Sequence, residues 1–380
     1  RLCSTARMAR GSFVGFWIAA LGLPVLAWRR SPHCAIVCAA ASEVPRPRLH
    51  LRMAASATGT VAAERPPLAV VTGANTGIGF HVAGQLAERG YEVVLACRNK
   101  ERGEAAVLAL KEQYGAAVSV RLELIDLASF ASVRAFAARL AAATPPPSSV
   151  GGLALLVCNA GLNSASVSQA PEAQLTEDGV DVLYQSNYLS HFLLTLLLLP
   201  LLRAAHGRVV SVTSVIHRSA SPSQLELIRR VREPYVGFYG LSKLAQICAG
   251  SELHRRFGGE GGVAFHSVNP GGVASDIWRE YPAWQRWLFP LFFASTEAAA
   301  KSVVQACVCE EGRPPAAPVY WNGYFGASRL RAFEYWSPIA ARSTSVPSAP
   351  SDAACDDAVA TQVWNSSVEA LRAGGVNVSE

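Results

Sequence analysis

Between Leu68 and Val268 the chain repeats one rhythm, a short and mostly apolar run followed by a longer amphipathic stretch. LAVV (68–71), YEVVLAC (91–97), VSVRLEL (118–124), LALLVC (153–158), RVVSVT (208–213) and VAFHSV (263–268) read as strands, each followed by a helical pattern. Such alternation predicts an α/β fold, a doubly wound parallel sheet of Rossmann type with helices on both faces. LSHFLLTLLLLPLL (189–202) is apolar enough to suggest a membrane span, yet it is short and holds Ser190, His191 and Pro200. A helix buried against the sheet is the expectation. PPPSS (145–149) reads as a surface loop, and ARSTSVPSAPSD (341–352) as a flexible connector before a helical stretch at 357–371. The expected organisation is therefore a leader over 1–65, one domain over 66–335, and a connector with a C-terminal helix over 336–380.

Composition supports a globular core, with 51% of the 380 residues hydrophobic. The formal charge of +6 is unevenly placed: residues 1–66 hold nine arginines against Glu43 and Glu64, a formal +7, which leaves −1 for the rest. A nearly neutral folded part gives no case for nucleic-acid binding. The nine cysteines form no CxxC pair, and several sit in apolar patterns, so buried thiols in a reducing compartment are expected, with no metal site. The leader itself has two parts. Residues 8–30 run from Met8 through an apolar stretch to Arg29 and Arg30, like a signal peptide or short anchor. Residues 31–65 are rich in Ala, Arg and Ser and poor in acids, like a transit peptide. Together they predict delivery to a plastid bounded by extra membranes; the alternative is an anchor in the endoplasmic reticulum membrane.

The chemistry starts at TGANTGIGF (72–80), where Gly73, Gly77 and Gly79 stand between the first strand and its helix. Glycine lets main chain touch a ligand, and a helix N-terminus favours an anion, so a pyrophosphate suits Gly73, Asn75, Thr76, Gly77, Ile78 and Gly79. The second strand ends in Arg98 and Asn99, where an NAD-specific site would place a carboxylate; a guanidinium suits the 2′-phosphate of NADP(H). Asp126 and Leu127 follow the third strand, with Asp126 able to accept from an adenine amino group. Asn159, Ala160 and Gly161 follow the fourth strand, although Asn159 also fits an ordinary turn. Tyr239 and Lys243, four apart on a helix, share one face. A cation beside the phenol is expected to lower its pKa and fit it for proton transfer. Ser214 falls at a strand's carboxyl end, where its hydroxyl could hold a carbonyl; Thr213 and Ser211 are neighbouring candidates.

Taken together, TGANTGIG, CNAG, Ser214 and YGLSK resemble the short-chain dehydrogenase/reductase family over roughly residues 66–335. The resemblance implies a tetrad of Asn187, Ser214, Tyr239 and Lys243. Lys243 would also hold the nicotinamide ribose, and Asn187 would anchor a proton-relay water. It further implies that Pro270 and Gly271 form the loop beside the nicotinamide, with Ser275 where a threonine is usual. ACRN, DLASFASVR, SNYLSHFLLT and SKLAQ look most like the branch of retinol dehydrogenases and WW-domain oxidoreductases. SELHRRF, REYPAWQRWLFP and PVYW resemble protochlorophyllide oxidoreductase, but the stretch from Ser214 to Tyr239 is shorter than in that family.

Trp278, Tyr281, Trp284, Trp287, Phe289, Phe292 and Phe293 crowd the region after the nicotinamide loop, predicting a lid over an apolar substrate or a membrane-surface contact, with a packed helix pair as the alternative. The expected activity is hydride transfer between NADP(H) and a lipophilic, retinal-like carbonyl or alcohol. The alternatives are a light-dependent C=C reductase of a tetrapyrrole in a plastid, and a non-catalytic NADP-binding regulator.

Overall fold

The computed structural model describes residues 65–144, 152–163, 167, 170, 173–231, 238–259, 261–275, 293–309, 318–323 and 345–377. The leader up to residue 64, the loop at 145–149 and the aromatic residues from Trp278 to Phe292 lie outside these. In chain order the elements are β1 (Leu68–Thr72), α1 (Gly77–Ala87), β2 (Glu92–Cys97), α2 (Lys100–Tyr114), β3 (Val120–Leu124), α3 (Phe130–Ala143), β4 (Leu153–Cys158), α4 (Ser190–Ala204), β5 (Arg208–Val212), α5 (Tyr239–Phe257), β6 (Ala264–Asn269), α6 (Thr296–Val308), β7 (Val319–Asn322), β8 (Val346–Pro347), α7 (Asp352–Cys355) and α8 (Asp357–Ala373). A helical turn, Val182–Tyr184, and a π-turn, Gln185–Leu189, lead directly into α4.

The strands form one sheet in the order β3-β2-β1-β4-β5-β6-β7-β8. The first seven run parallel, and the two-residue β8 closes the edge antiparallel to β7. Side chains alternate across each strand: Leu68 and Val70 face one core, Ala69 and Val71 the other. The first core is covered by α3, α4, α5 and α8, and the second by α1, α2 and α6. Both faces being covered explains why the strands read as continuous apolar runs rather than alternating ones. The chain leaves β1 toward β2 and β3, then returns to β4 on β1's other side. This reversal opens a crevice at the carboxyl ends of β1 and β4, where ligands of such sheets bind.

The helical run Val182–Ala204 is long and apolar enough to cross a membrane, but 67% of its most apolar window is buried inside the fold, as for a core helix. Two strands went unforeseen. β7 has only four residues and β8 two, too short for periodicity to register. The stretch read as a flexible connector differs as well: from Ser345 onward it is tied down, with the Ser345 amide bonded to Gln305 Oε1 at 2.8 Å and the Ser348 amide to the Tyr320 carbonyl at 2.8 Å. Helix α8 then buries Val363, Trp364, Ser367, Val368 and Leu371 on the domain.

Candidate active site

Four strand ends meet at the crevice. The Gly73 amide bonds to the Ala96 carbonyl at 2.8 Å and the Ile125 amide to the Cys97 carbonyl at 3.0 Å, so the glycine turn, Arg98 and Asp126 follow three adjacent strand termini. Gly73 and Gly77 take φ of 64° and 62°, which side chains rarely tolerate. A Cβ on Gly79 would collide with Asn159 Nδ2 and the Gly73 carbonyl. Thr76 at the N-cap of α1 makes no side-chain capping bond, and the first turn carries no acid. The turn thus presents bare main chain and a positive helix terminus, which fits a pyrophosphate. The loop after β6 reaches over it: a Cβ on Gly77 would lie 3.9 Å from Ser275 Cβ. Pro270 and Gly271 begin that loop, Gly271 with φ of 90°.

Arg98 and Asn99 are exposed past β2. Asn99 caps α2, accepting from the Arg102 amide at 2.8 Å. Asp126 lies two residues past β3 and accepts from the Ala128 amide at 2.9 Å through one oxygen. Leu127 is buried, its carbonyl accepting from Ser190 Oγ at 2.6 Å. Asn159 turns inward, donating from Nδ2 to the Thr72 carbonyl at 2.8 Å, so it holds the β1 and β4 ends together. Ala160 and Gly161 continue from it, and a Cβ on Gly161 would lie 3.5 Å from Asn187 Oδ1 and 3.7 Å from Lys243 Nζ.

The four residues of the implied tetrad converge here. Ser214 starts a turn after β5 and hydrogen-bonds the Tyr239 phenol. The neighbouring hydroxyls have other partners: Thr213 Oγ1 donates to the Lys243 carbonyl at 3.0 Å, and Ser211 is engaged with Cys158. Lys243 Nζ lies 5.6 Å from the Tyr239 ring centre and donates to the Val212 carbonyl at 2.8 Å. The expected electrostatics need correction at this pair. Burial raises the Tyr239 phenol above 10.0, opposed by its bond with Ser214. Burial also pushes Lys243 itself down to about 7, so the ammonium is not a full-strength cation.

Asn187 sits in the π-turn, fully buried. π-turns inside helices are rare and gather at functional positions. Its side chain clamps Leu162, accepting from the amide at 2.7 Å and donating to the carbonyl at 2.8 Å. Its own carbonyl carries two protein donors: His191 Nδ1 at 2.9 Å and Gln246 Nε2 at 3.0 Å. With Nδ1 donating, His191 Nε2 accepts from Thr72 Oγ1 at 2.9 Å. Burial pushes His191 down to about 4 and keeps the ring neutral, as this arrangement requires. His191, Gln246 and Thr72 thus join the site without having been given a role there from the sequence. Among the described residues no cluster of His, Cys, Asp or Glu could hold a metal ion. Cys97, Cys158, Cys248 and Cys307 are free thiols, all four buried.

A parallel sheet with its crevice at the β1/β4 reversal, a glycine turn in that crevice and a Ser–Tyr–Lys group beside it define a nucleotide-binding oxidoreductase of one particular class. The profile of the family described as short chain dehydrogenase matches residues 67–286, and the chain belongs to that family. Dehydrogenase/reductase SDR family member 13 of Bos taurus is 38% identical over 272 residues, covering 69% of this chain and 67% of that protein. Retinol dehydrogenase 12 of Mus musculus is 36% identical, covering 64% of this chain and 74% of that one. For the WW domain-containing oxidoreductase of Gallus gallus the values are 36%, 62% and 55%, so the chain spans about half the length of that relative. These similarities set the chain in the retinol dehydrogenase-like branch. Among solved structures, a putative uncharacterized protein from Mycobacterium Paratuberculosis superposes with a TM-score of 0.56 at 27% identity, covering 83% of this chain and 98% of the other.

Proposed function

We propose that this chain is an NADP(H)-dependent dehydrogenase/reductase that moves hydride between the nicotinamide and a lipophilic carbonyl or alcohol, with Tyr239 as acid and base. One observation carries this reading: the Tyr239 phenol, hydrogen-bonded to Ser214 and flanked by Lys243, stands beside main chain shaped for a dinucleotide. A bare binding module has no need of a proton donor so placed.

The cofactor, when bound, supplies or accepts the hydride. Gly73, Asn75, Thr76, Gly77, Ile78 and Gly79 would hold its pyrophosphate, Arg98 and Asn99 the ribose 2′-phosphate, and Asp126 with Leu127 the adenine. Asn159, Ala160 and Gly161 would floor the site, Tyr239 and Lys243 would meet the nicotinamide ribose, and Pro270, Gly271 and Ser275 the carboxamide. Ser214 would orient the substrate oxygen, and Tyr239 would give that oxygen a proton during reduction and take it back during oxidation. Lys243, poised near neutrality, would resupply the phenol. Asn187 would act as a positioning residue, fixing Leu162 and, through Nδ2 and Ser242 Oγ at 3.3 Å, the helix that carries Tyr239 and Lys243.

The relatives named retinol dehydrogenase favour a retinoid-like aldehyde as substrate, with the apolar leader keeping the enzyme at a membrane surface. Nothing in the comparisons speaks for a plastid. The test is a substrate panel on the full chain with NADPH and NADH, in dark and light, spanning retinal, medium-chain aldehydes and protochlorophyllide. The reading expects dark reduction of the apolar aldehydes with NADPH preferred. Turnover of protochlorophyllide alone, and only in light, would overturn it.

A further inference from the structure

The C-terminal segment lies beyond the stretch matched by the family profile, yet it is bonded to both flanks of the active site. On one flank, His217 Nδ1–H donates to the Ser214 carbonyl at 2.7 Å, which leaves Nε2 to accept the Ser351 amide at 3.0 Å. Only a neutral imidazole makes both bonds, and burial holds His217 down at about 4, reinforced by the Arg218 charge. Arg218 seizes the two preceding residues, donating to the carbonyls of Ala349 at 2.8 Å and Pro350 at 3.3 Å. On the other flank, Tyr188 follows Asn187 in the π-turn. Ser367 spends its proton on the Val363 carbonyl at 2.7 Å, so the Tyr188 hydroxyl donates to Ser367 Oγ, at 2.8 Å. Trp364 meets Phe192 edge-on, with ring centres 5.1 Å apart, just after the same turn.

We propose that residues 345–373 form a positioning clamp for the active site, in which Ser351 sets the Ser214 main chain through His217, and Ser367 sets the π-turn that carries Asn187. The clamp rests on the reading of Ser214 and Tyr239 as the reacting pair. Ser214 must aim its hydroxyl at the phenol, and a residue at the mouth of a loop holds that aim only if its carbonyl is fixed. His217 fixes it with a bond whose far end is anchored in the tail. His217 and Ser351 are thus positioning residues, acting on Tyr239 through Ser214.

Ser351 has φ of −69°, which proline adopts without strain, so Ser351→Pro removes the amide donor at a compatible backbone position. Ser351→Ala keeps the donor and removes only the hydroxyl that caps α7. The experiment takes the full chain with His217→Leu, Ser351→Pro or Ser351→Ala. It measures the ionisation midpoint of Tyr239 from tyrosinate ultraviolet absorbance, each variant against the same variant carrying Tyr239→Phe. The clamp predicts midpoints raised by roughly half a pH unit or more in His217→Leu and Ser351→Pro, with Ser351→Ala unchanged. Unchanged midpoints in folded His217→Leu and Ser351→Pro would overturn it; if His217→Leu does not fold, Ser351→Pro alone decides. The titration requires no turnover. An inactive parent chain would therefore sink the functional reading while the titration still judged the clamp.

Discussion

Tyr239 and Lys243 illustrate what four-residue spacing shows and what it hides. The spacing places phenol and amine together, as the structure confirms, but the sense of their pKa shifts depends on burial, which spacing does not encode. A lysine held at about 7 against 10.5 in the unfolded chain means the unfolded state binds more protons between those values, so folding grows more favourable as pH rises through that window. Lys243→Met should therefore raise the thermal midpoint near pH 7, the gain shrinking toward pH 10; calorimetry across that range checks it. At Arg98 the prediction is kinetic. Arg98→Ala should raise KM for NADPH by about tenfold or more while leaving KM for NADH nearly unchanged, since a lost forked bond to phosphate costs on the order of 1.5–3 kcal/mol. Equal changes for both cofactors would remove the 2′-phosphate role.

At the scale of elements, the glycine turn was legible because its cause is local: positive φ at Gly73 and Gly77 demands glycine whatever surrounds them. Gly79 has a different reason. Its missing Cβ makes room for Asn159 and for the Gly73 carbonyl, a long-range contact no local pattern announces. Gly79→Ala should cost about 1–3 kcal/mol in urea unfolding and weaken NADPH binding, because a backbone carbonyl cannot move aside as a flexible side chain can. The π-turn was illegible for the same kind of reason. Gln185–Leu189 reads as ordinary helix, and the bonds that stabilise its widened turn come from Leu162, Gln246 and Ser242, distant in sequence. Strands β7 and β8 were lost to their shortness.

For the whole molecule, the alternation of apolar runs gave the sheet and its two covered faces, whereas the path of the chain after residue 335 could not be read from polarity. SVPSAPSD (345–352) is rich in small and polar residues, yet its main chain is bonded to β7, Arg218 and His217. Buried imidazoles distributed through the fold give a global signature. His191 and His217 are pushed down to about 4 and His266 to about 3, from 6.5 in each case, chiefly by burial. The unfolded chain therefore takes up these protons first, so the contribution of these neutral rings should be full above pH 6.5 and stability should fall steadily as pH drops from there toward 4. Chemical unfolding across pH 4–8 tests this, and a flat profile would contradict the buried, neutral rings. The most direct measurement of the central claim is steady-state reduction of retinal by NADPH in Tyr239→Phe, alongside the dissociation constant for NADPH. Proton transfer from the phenol predicts a loss of about 10²–10⁴ in kcat with cofactor affinity kept within about twofold. Turnover persisting in Tyr239→Phe at the parent rate would contradict it.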